Sequence, residues 1–160
     1  MKSELKNILY NFSVDKSRKT QIFKSIGKIK RKKLDNEFHG AHKAVFAKID
    51  CLDCANCCKT TSPIFRDADI KRLSKHLRMK PVEFINSFLY MDKDHDYVLK
   101  TAPCSFLNND NTCSVYDHRP LACREYPHTD RKNMYQVLEL AKKNTDICPA
   151  VCKIVERLVK

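Results

Sequence analysis

The chain has 160 residues and nine cysteines, and its 31 Lys and Arg outnumber its 19 Asp and Glu by 12. With 42% hydrophobic and 31% charged residues the composition is typical of a globular protein, and no apolar run approaches the roughly 18 residues needed to span a bilayer. We therefore expect a protein without a transmembrane segment. The first residues also lack the compact apolar block of a signal peptide, which predicts a cytoplasmic location.

Several common enzyme signatures are missing from the sequence. Its two glycines cannot supply a Walker loop or a GxGxxG dinucleotide fingerprint, and neither GxSxG nor HExxH occurs. These absences argue against ATP-binding, dinucleotide-binding and common hydrolase classes.

The first part of the chain holds most of the net charge. Nine Lys or Arg and no acidic residue lie between Lys16 and Lys33. Apolar residues recur there at helical spacing, in the series Leu5, Ile8, Leu9, Phe12, Ile22, Ile26 and Ile29. We predict a basic helical extension over residues 1–48, in two pieces broken near residues 13–17 and separable from a metal-binding domain over residues 49–160.

The second part of the chain also shows mainly helical patterns. Asp67 is a good N-cap for one helix, and Pro81 suits the first position of a second helix that ends near Asp92. Apolar residues return at helical intervals over 134–143 and 150–159.

A short β-hairpin is expected near the centre of the chain. Residues 97–99 and 113–116 are β-prone, and the run 108–111 between them has the composition of a turn. The predicted fold class is thus α+β and mainly helical, a small irregular cysteine-rich domain with one short β-hairpin.

Four of the cysteines form the motif Cys51-Leu-Asp-Cys54-Ala-Asn-Cys57-Cys58. Two residues between cysteines let a tight turn aim both sulfurs at one ion, as in zinc and iron–sulfur sites. Neighbouring side chains in extended backbone point to opposite faces, so Cys57 and Cys58 are more easily shared between two centres than fitted to one. The motif predicts two metal centres or one polynuclear centre.

Distal cysteines complete the candidate ligand set. Four of them stand near turn-forming residues, namely Cys104, Cys113, Cys123 and Cys148. Eight thiolates would fill two four-coordinate sites, and two Zn²⁺ with eight thiolates carry a net charge of −4. Arg119 and Arg124 lie close to Cys123 in sequence, and they are candidates to offset that negative charge without binding the metal themselves. Cys152 lies on the apolar side of the last predicted helix and is expected in the core.

The order of these motifs resembles the YkgJ-type CxxCxxCC cysteine-cluster family, a zinc- or iron-chelating domain. The matching segments are residues 51–58, 103–107, 113–116, 119–127 and 148–149. A similar cluster occurs in flagellin lysine methylases. The resemblance implies a chelating domain without a settled reaction. Asn56 stands where this family usually has a glycine, and asparagine tolerates a positive φ.

Two hypotheses about function follow. The first is a cytoplasmic metalloprotein that chelates zinc or iron, the latter as an iron–sulfur cluster, with its reaction and any enzymatic activity unassigned. The second is a nucleic-acid-associated module with structural zinc, in which Lys16 to Lys33 bind phosphates. An anionic membrane surface is a third partner for this stretch, through Ile22, Phe23, Ile26 and Ile29. His39 and His42 have helical spacing for a shared ion, but no acid or cysteine adjoins them in sequence.

Overall fold

The computed structural model describes residues 1–159 and is mainly helical, with 58% of the chain in helices. The α-helices are α1 (Ser3–Val14), α2 (Lys16–Ile26), α3 (Arg31–Phe46), α4 (Asn56–Thr60), α5 (Asp67–His76), α6 (Pro81–Phe88), α7 (Leu121–Glu125), α8 (Leu138–Asn144) and α9 (Pro149–Arg157). Short 3-10 turns occupy Cys51–Asp53, Tyr116–His118 and Met134–Val137. One antiparallel β-hairpin completes the described part, so the predicted fold class is confirmed. None of the described helices is long and apolar enough to cross a membrane.

The helical N-terminal region is divided into three helices rather than two. The predicted break near residues 13–17 is present, and the Asp15 side chain caps α2 by accepting a hydrogen bond from the Arg18 backbone N–H at 2.8 Å. A second break, at residues 27–30, separates α2 from α3. It was not predicted because the sparse apolar stripe continues through it to Ile29.

The β-hairpin joins different strands from those predicted. Strand β1 (Leu89–Met91) pairs with β2 (Tyr97–Leu99), with Leu89 opposite Leu99. Helix α6 therefore ends at Phe88, and the expectations of a helix to Asp92 and of pairing with residues 113–116 were wrong. The Asp92 carboxylate accepts the backbone N–H groups of Asp94 and Asp96 at 2.9 and 3.0 Å, which closes the connecting turn.

The predicted turn at residues 108–111 is present in another setting. It connects Leu107 and Cys113, which form an isolated antiparallel bridge. Asn108 donates its backbone N–H to the Thr112 carbonyl at 2.9 Å. This bridge holds the backbone of Cys113 near that of the Cys104 segment.

The chain divides into two compact units. Unit 1 comprises residues 1–54 and 127–159, and unit 2 comprises residues 55–126. The boundary predicted at residue 48, between an extension and a metal-binding domain, stays a prediction.

Unit 1 has an aliphatic core formed by helices from both ends of the chain. The side chains of Ile26, Phe38, Val151 and Ile154 are fully buried in this core. Burying one such side chain contributes roughly 1.5–3 kcal/mol, so the first three helices and α9 stabilise one another. Removing residues 1–40 would take part of this core away.

Unit 2 has a smaller core with an aromatic centre. The ring centroids of Phe84 and Phe88, both on α6, lie 6.2 and 5.0 Å from the ring centroid of Phe106. Phe106 follows Cys104 by two residues, so the aromatic core anchors the segment that carries this thiol.

Candidate metal centre

The cysteines of the motif are divided between the units because the boundary falls between Cys54 and Ala55. Unit 1 holds Cys51, Cys54, Cys148 and Cys152, whereas unit 2 holds Cys57, Cys58, Cys104, Cys113 and Cys123. Each unit therefore contains its own group of thiols.

In unit 2 the motif cysteines lie on a short helix. Cys57 and Cys58 belong to α4, which Ala55 introduces in the left-handed conformation with φ of 49°. The left-handed residue is thus Ala55 and not Asn56, and the extended backbone assumed for Cys57 and Cys58 was wrong. Consecutive side chains of a helix lie about 100° apart, so the two sulfurs still diverge.

Cys58 is connected to the distal cysteines through its backbone and its charge. Its carbonyl accepts the Cys104 N–H at 2.8 Å. A hydrogen bond from Cys57 lowers the pKa of Cys58 to about 7, against the opposing effect of burial and with help from the Lys59 charge. Cys58 is therefore readily ionised near neutral pH.

Cys104 and Cys113 each sit beneath backbone N–H groups. Burial raises the pKa of both thiols, and backbone hydrogen bonds oppose it, from Phe106 and Leu107 to Cys104 and from Val115 to Cys113. The Phe106 N–H lies 3.5 Å from the Cys104 Sγ. Such donors stabilise sulfur in its anionic form, which is the form that binds metal.

Cys123 brings these thiols into one group. It lies on α7, and burial raises its pKa to about 12, with further increases caused by the charges of Cys58, Cys104 and Cys113. Because Cys58, Cys104 and Cys113 lie close enough to Cys123 for their charges to raise its pKa, we define these residues as the four-thiol cluster: Cys58, Cys104, Cys113 and Cys123.

Arg119 provides positive charge at this cluster. It lowers the pKa of both Cys113 and Cys123. Its guanidinium lies 3.7 Å from the ring centroid of Tyr116 and donates to the Tyr116 carbonyl at 2.8 Å, so the side chain is held in place. Arg124 is exposed on α7, and its role stays a prediction.

Unit 1 contains a second group, which we define as the three-thiol cluster: Cys51, Cys54 and Cys148. Cys51 begins a 3-10 turn and Cys54 follows it, with the Cys54 N–H donating to the Cys51 carbonyl at 3.0 Å. Burial raises the pKa of Cys148 to about 11, N–H groups of Val151 and Ala150 lower it, and Cys51 and Cys54 raise it. Cys148 is the N-cap residue of α9, and the N–H groups that lower its pKa belong to the first turn of that helix.

Cys152 lies in the apolar core of unit 1. It is fully buried, and its thiol donates to the Thr145 carbonyl at 3.1 Å. Burial raises its pKa to about 12. This environment favours the neutral thiol and suits a small core residue.

The sulfur atoms of the two clusters have the donor chemistry of a metal site, but they are not yet arranged around a common point where an ion would sit. Thiolates are soft ligands that select zinc and iron–sulfur centres over magnesium or calcium. Among residues 1–159, no group of three or more His, Cys, Asp or Glu side chains is arranged to hold a metal ion as it stands. A metal would draw the sulfurs of each cluster together.

The histidine pair of α3 acquires an acidic neighbour that the sequence did not indicate. His39 Nδ1 lies 2.6 Å from an Asp130 carboxylate oxygen, and His42 Nδ1 lies 2.9 Å from the Thr129 hydroxyl. Burial lowers the pKa of His42, so this imidazole is mainly neutral at physiological pH.

The comparison with family models identifies the chain. The model of the CxxCxxCC family, a putative zinc- or iron-chelating domain, matches residues 50–153. The chain belongs to this family. Neither the curated proteins nor the solved structures contain a match.

Two residues beside the four-thiol cluster were missed by the sequence analysis. Asp69 and Arg72 of α5 form an ion pair at 2.5 Å, with Asp69 almost completely buried. Asp69 precedes Leu73 by four residues, so it lies on the same apolar face of the helix. A carboxylate on an apolar face is the sequence signal that could have indicated a buried, partnered residue. The helix N-cap is Arg66 and not Asp67, because the Asp69 carboxylate caps the Arg66 N–H at 3.1 Å.

Proposed function

We propose that the protein chelates zinc or iron through two separate thiolate centres, one built on the four-thiol cluster and one on the three-thiol cluster. The proposed ligands are the seven thiols of these clusters, namely Cys51, Cys54, Cys58, Cys104, Cys113, Cys123 and Cys148, together with Cys57, which adjoins Cys58 on α4. The main supporting observation is that Cys58 lies close to the distal thiols of unit 2: its carbonyl accepts the Cys104 N–H at 2.8 Å, and its charge raises the pKa of Cys104, Cys113 and Cys123. The family to which the chain belongs supports the same class of cofactor.

The residues around the four-thiol cluster fit an anionic centre. Backbone N–H groups reach Cys104 and Cys113, and Arg119 faces Cys113 and Cys123. Four thiolates on one divalent ion carry a net charge of −2, which these donors and the guanidinium offset. Zinc bound there would link the segments of unit 2, and an iron–sulfur cluster would add electron transfer.

The raised pKa values also indicate how the centre would be loaded. Cys104, Cys113 and Cys123 are neutral thiols near pH 7 without metal, whereas Cys58 is partly ionised. Metal binding must therefore release protons, and we expect affinity to rise with pH. Reduced thiols are maintained in the cytoplasm, which is the location we propose.

The test is anaerobic purification followed by elemental analysis and an absorption spectrum. We expect zinc or iron in the purified chain. Visible absorption with bound sulfide identifies an iron–sulfur cluster, whereas a colourless protein with zinc identifies a zinc site. Protein that contains neither metal and does not take up Zn²⁺ or Fe²⁺ under reducing conditions overturns the proposal.

A second candidate function rests on the basic surface of α2 and α3. Of the nine cations, Arg18 pairs with Glu156 at 2.8 Å, Lys19 pairs with Asp146 at 2.7 Å, and Arg31 lies 4.4 Å from the Tyr135 ring centroid. The other six are exposed and, within the described chain, form no ion pair: Lys16, Lys24, Lys28, Lys30, Lys32 and Lys33. We propose that these lysines contact nucleic-acid phosphates.

The apolar side chains of the same stretch argue against a membrane partner. Ile22 and Ile26 are buried in the core of unit 1, and Phe23 and Ile29 pack against that core. They cannot also form the apolar face that an interfacial helix inserts into lipid. The surface that remains is cationic and suits a polyanion.

The salt dependence of binding to a DNA or RNA duplex tests this second candidate. The triple substitution of Lys28, Lys30 and Lys32 by Gln should weaken binding and flatten the slope of log affinity against log salt by nearly one per lost contact. The matched control removes three exposed lysines elsewhere: Lys71, Lys93 and Lys100. Equal losses in both variants, or no binding by the full chain at low salt, would reject it.

A further inference from the structure

Asp69 is a buried carboxylate whose hydrogen bonds link α5 to the segment before Cys123. Only 2% of the residue is exposed. Its carboxylate accepts the N–H groups of Arg66 and Leu121, each at 3.1 Å, and the Arg72 guanidinium at 2.5 Å. Leu121 is the first residue of α7, so Asp69 satisfies a backbone donor at the start of the helix that carries Cys123.

Arg72 extends the same connection by two further bonds. Its Nε donates to the His118 carbonyl at 3.2 Å, and its Nη2 donates to the Arg119 carbonyl at 3.0 Å. The planar guanidinium can make these bonds while it contacts the Asp69 carboxylate, which an ammonium group cannot do with the same geometry. The pair thus fixes backbone groups of residues 118, 119 and 121.

Apart from that pair, this segment is held by the stacking of His118 on His76 of α5, with ring centroids 4.0 Å apart, and by the contact of Arg119 with Tyr116. Helix α7 spans Leu121–Glu125, and a helix of this length is not stable alone. Its third residue is Cys123, and Arg119 lies just before it. The position of one proposed ligand and of the nearby guanidinium therefore depends on how the segment is anchored to α5.

We propose that Asp69 and Arg72 are positioning residues that hold the segment from His118 to Cys123 so that the Cys123 sulfur can join the metal-bound cluster. This inference rests on the proposed four-thiol centre. Neither side chain is among the proposed metal ligands. A buried ion pair is not needed for stability alone, because apolar residues of similar volume would often stabilise such a site equally well.

Cobalt binding to the full reduced chain provides the test. Co²⁺ replaces zinc in thiolate sites, and its sulfur-to-metal charge-transfer absorption grows with the number of bound thiolates. We expect Asp69→Asn to bind Co²⁺ about 10- to 100-fold more weakly in competition with a chelator, which is the usual loss when a residue that orients a metal ligand is replaced. The charge-transfer absorption of the bound Co²⁺ should also be weaker. The control is Asp67→Asn, an exposed carboxylate on the same helix, which should bind as the unchanged chain does.

A double-mutant cycle separates positioning from a general loss of stability. If Asp69 acts through Cys123, Asp69→Asn should weaken Co²⁺ binding little further in a chain that already carries Cys123→Ser. The same change should retain its full effect in a chain that carries Cys104→Ser. Equal effects in the two backgrounds would show that Asp69 acts on unit 2 as a whole and would overturn the inference.

Arg72→Lys keeps the positive charge, and it is the second variant to test if Asp69→Asn does not fold. It should bind Co²⁺ more weakly, with the same dependence on Cys123, because lysine lacks the planar fork that reaches both carbonyls. Full affinity in this variant overturns the inference. Failure of the unchanged chain to bind Co²⁺ rejects the proposed function itself, so the two failures are distinguishable.

Discussion

The two thiol clusters are built in different ways. The four-thiol cluster draws its residues from four segments of unit 2, spread from Cys58 to Cys123, over a small core centred on Phe84 and Phe106. The three-thiol cluster consists of one turn and the start of α9, in a unit whose aliphatic core is larger. Metal should therefore contribute more to the folding of unit 2 than to that of unit 1.

Removal of metal should produce the largest effect. A strong chelator under reducing conditions should abolish amide protection in α4 and α7 of unit 2, because the thiolates no longer connect their segments. Helices α1, α3 and α9 should retain most of their protection because Phe38 and Val151 remain buried. Hydrogen exchange measured by mass spectrometry resolves the two units.

Equal loss of protection in both units would contradict this difference. Full protection throughout the metal-free chain would show that neither cluster is needed for folding. The control is a chelator-treated sample to which excess Zn²⁺ has been added back.

Single cysteine substitutions should have the next largest effect. Cys58→Ser should lower the bound metal by about one ion per chain, since the four-thiol centre loses a ligand. Cys57→Ser should also lower the bound metal, because Cys57 belongs to the proposed ligand set. Cys152→Ser should keep the full metal content, because this thiol lies in the core and donates to the Thr145 carbonyl. Elemental analysis of the purified variants measures the difference.

The Cys152 variant is the matched control, since it makes the same chemical change outside the proposed ligand set. Equal metal content in all three variants would remove Cys57 and Cys58 from that set. Metal loss in Cys152→Ser alone would make Cys152 a ligand and place Cys57 and Cys58 outside the ligand set.

The helices of this protein were largely predictable, whereas the partners of its cysteines were not. Apolar spacing predicts α5 and α9 because each buries one face. It could not show that Leu89–Met91 is a strand, since a three-residue apolar run after a helix has no period of its own. The fold class therefore followed from the sequence, but the hairpin partner did not.

Spacing likewise identifies CxxCxxCC as a metal motif without telling which distant cysteines share an ion. Cys104 and Cys148 are equivalent in sequence terms, yet they lie in different units. Asp69 and Arg72 were missed for a similar reason, because their roles depend on bonds to Leu121 and to the Arg119 carbonyl, 52 and 47 residues away.

The dependence of affinity on pH should show a smaller and graded effect. Near pH 8, binding at the four-thiol cluster should release about three protons, from Cys104, Cys113 and Cys123, because Cys58 with a pKa of about 7 is already ionised. Below pH 7 Cys58 is also protonated, so the number should approach about four. Affinity must therefore increase with pH throughout this range, and its slope should become shallower above pH 7.

Chelator competition with Co²⁺ from pH 6 to 8.5 measures this slope directly. A flat profile would contradict the assignment of neutral thiols as ligands. In Cys58→Ser the change of slope near pH 7 should disappear, which links it to this residue.

The smallest expected effect tests whether the two units are stable independently. Asp15→Ala removes the cap of α2 and should lower the free energy of unfolding of unit 1 by about 1 kcal/mol, since the Arg18 N–H loses its acceptor. The four-thiol cluster contains no residue of that unit, so its affinity for Co²⁺ should stay unchanged. Ser17→Ala, an exposed change in the first turn of the same helix, is the matched control. Thermal unfolding and Co²⁺ titration of the same samples measure both quantities. A parallel decrease in stability and in affinity would mean that the units unfold together, and the larger aliphatic core of unit 1 would then also support the metal centre of unit 2.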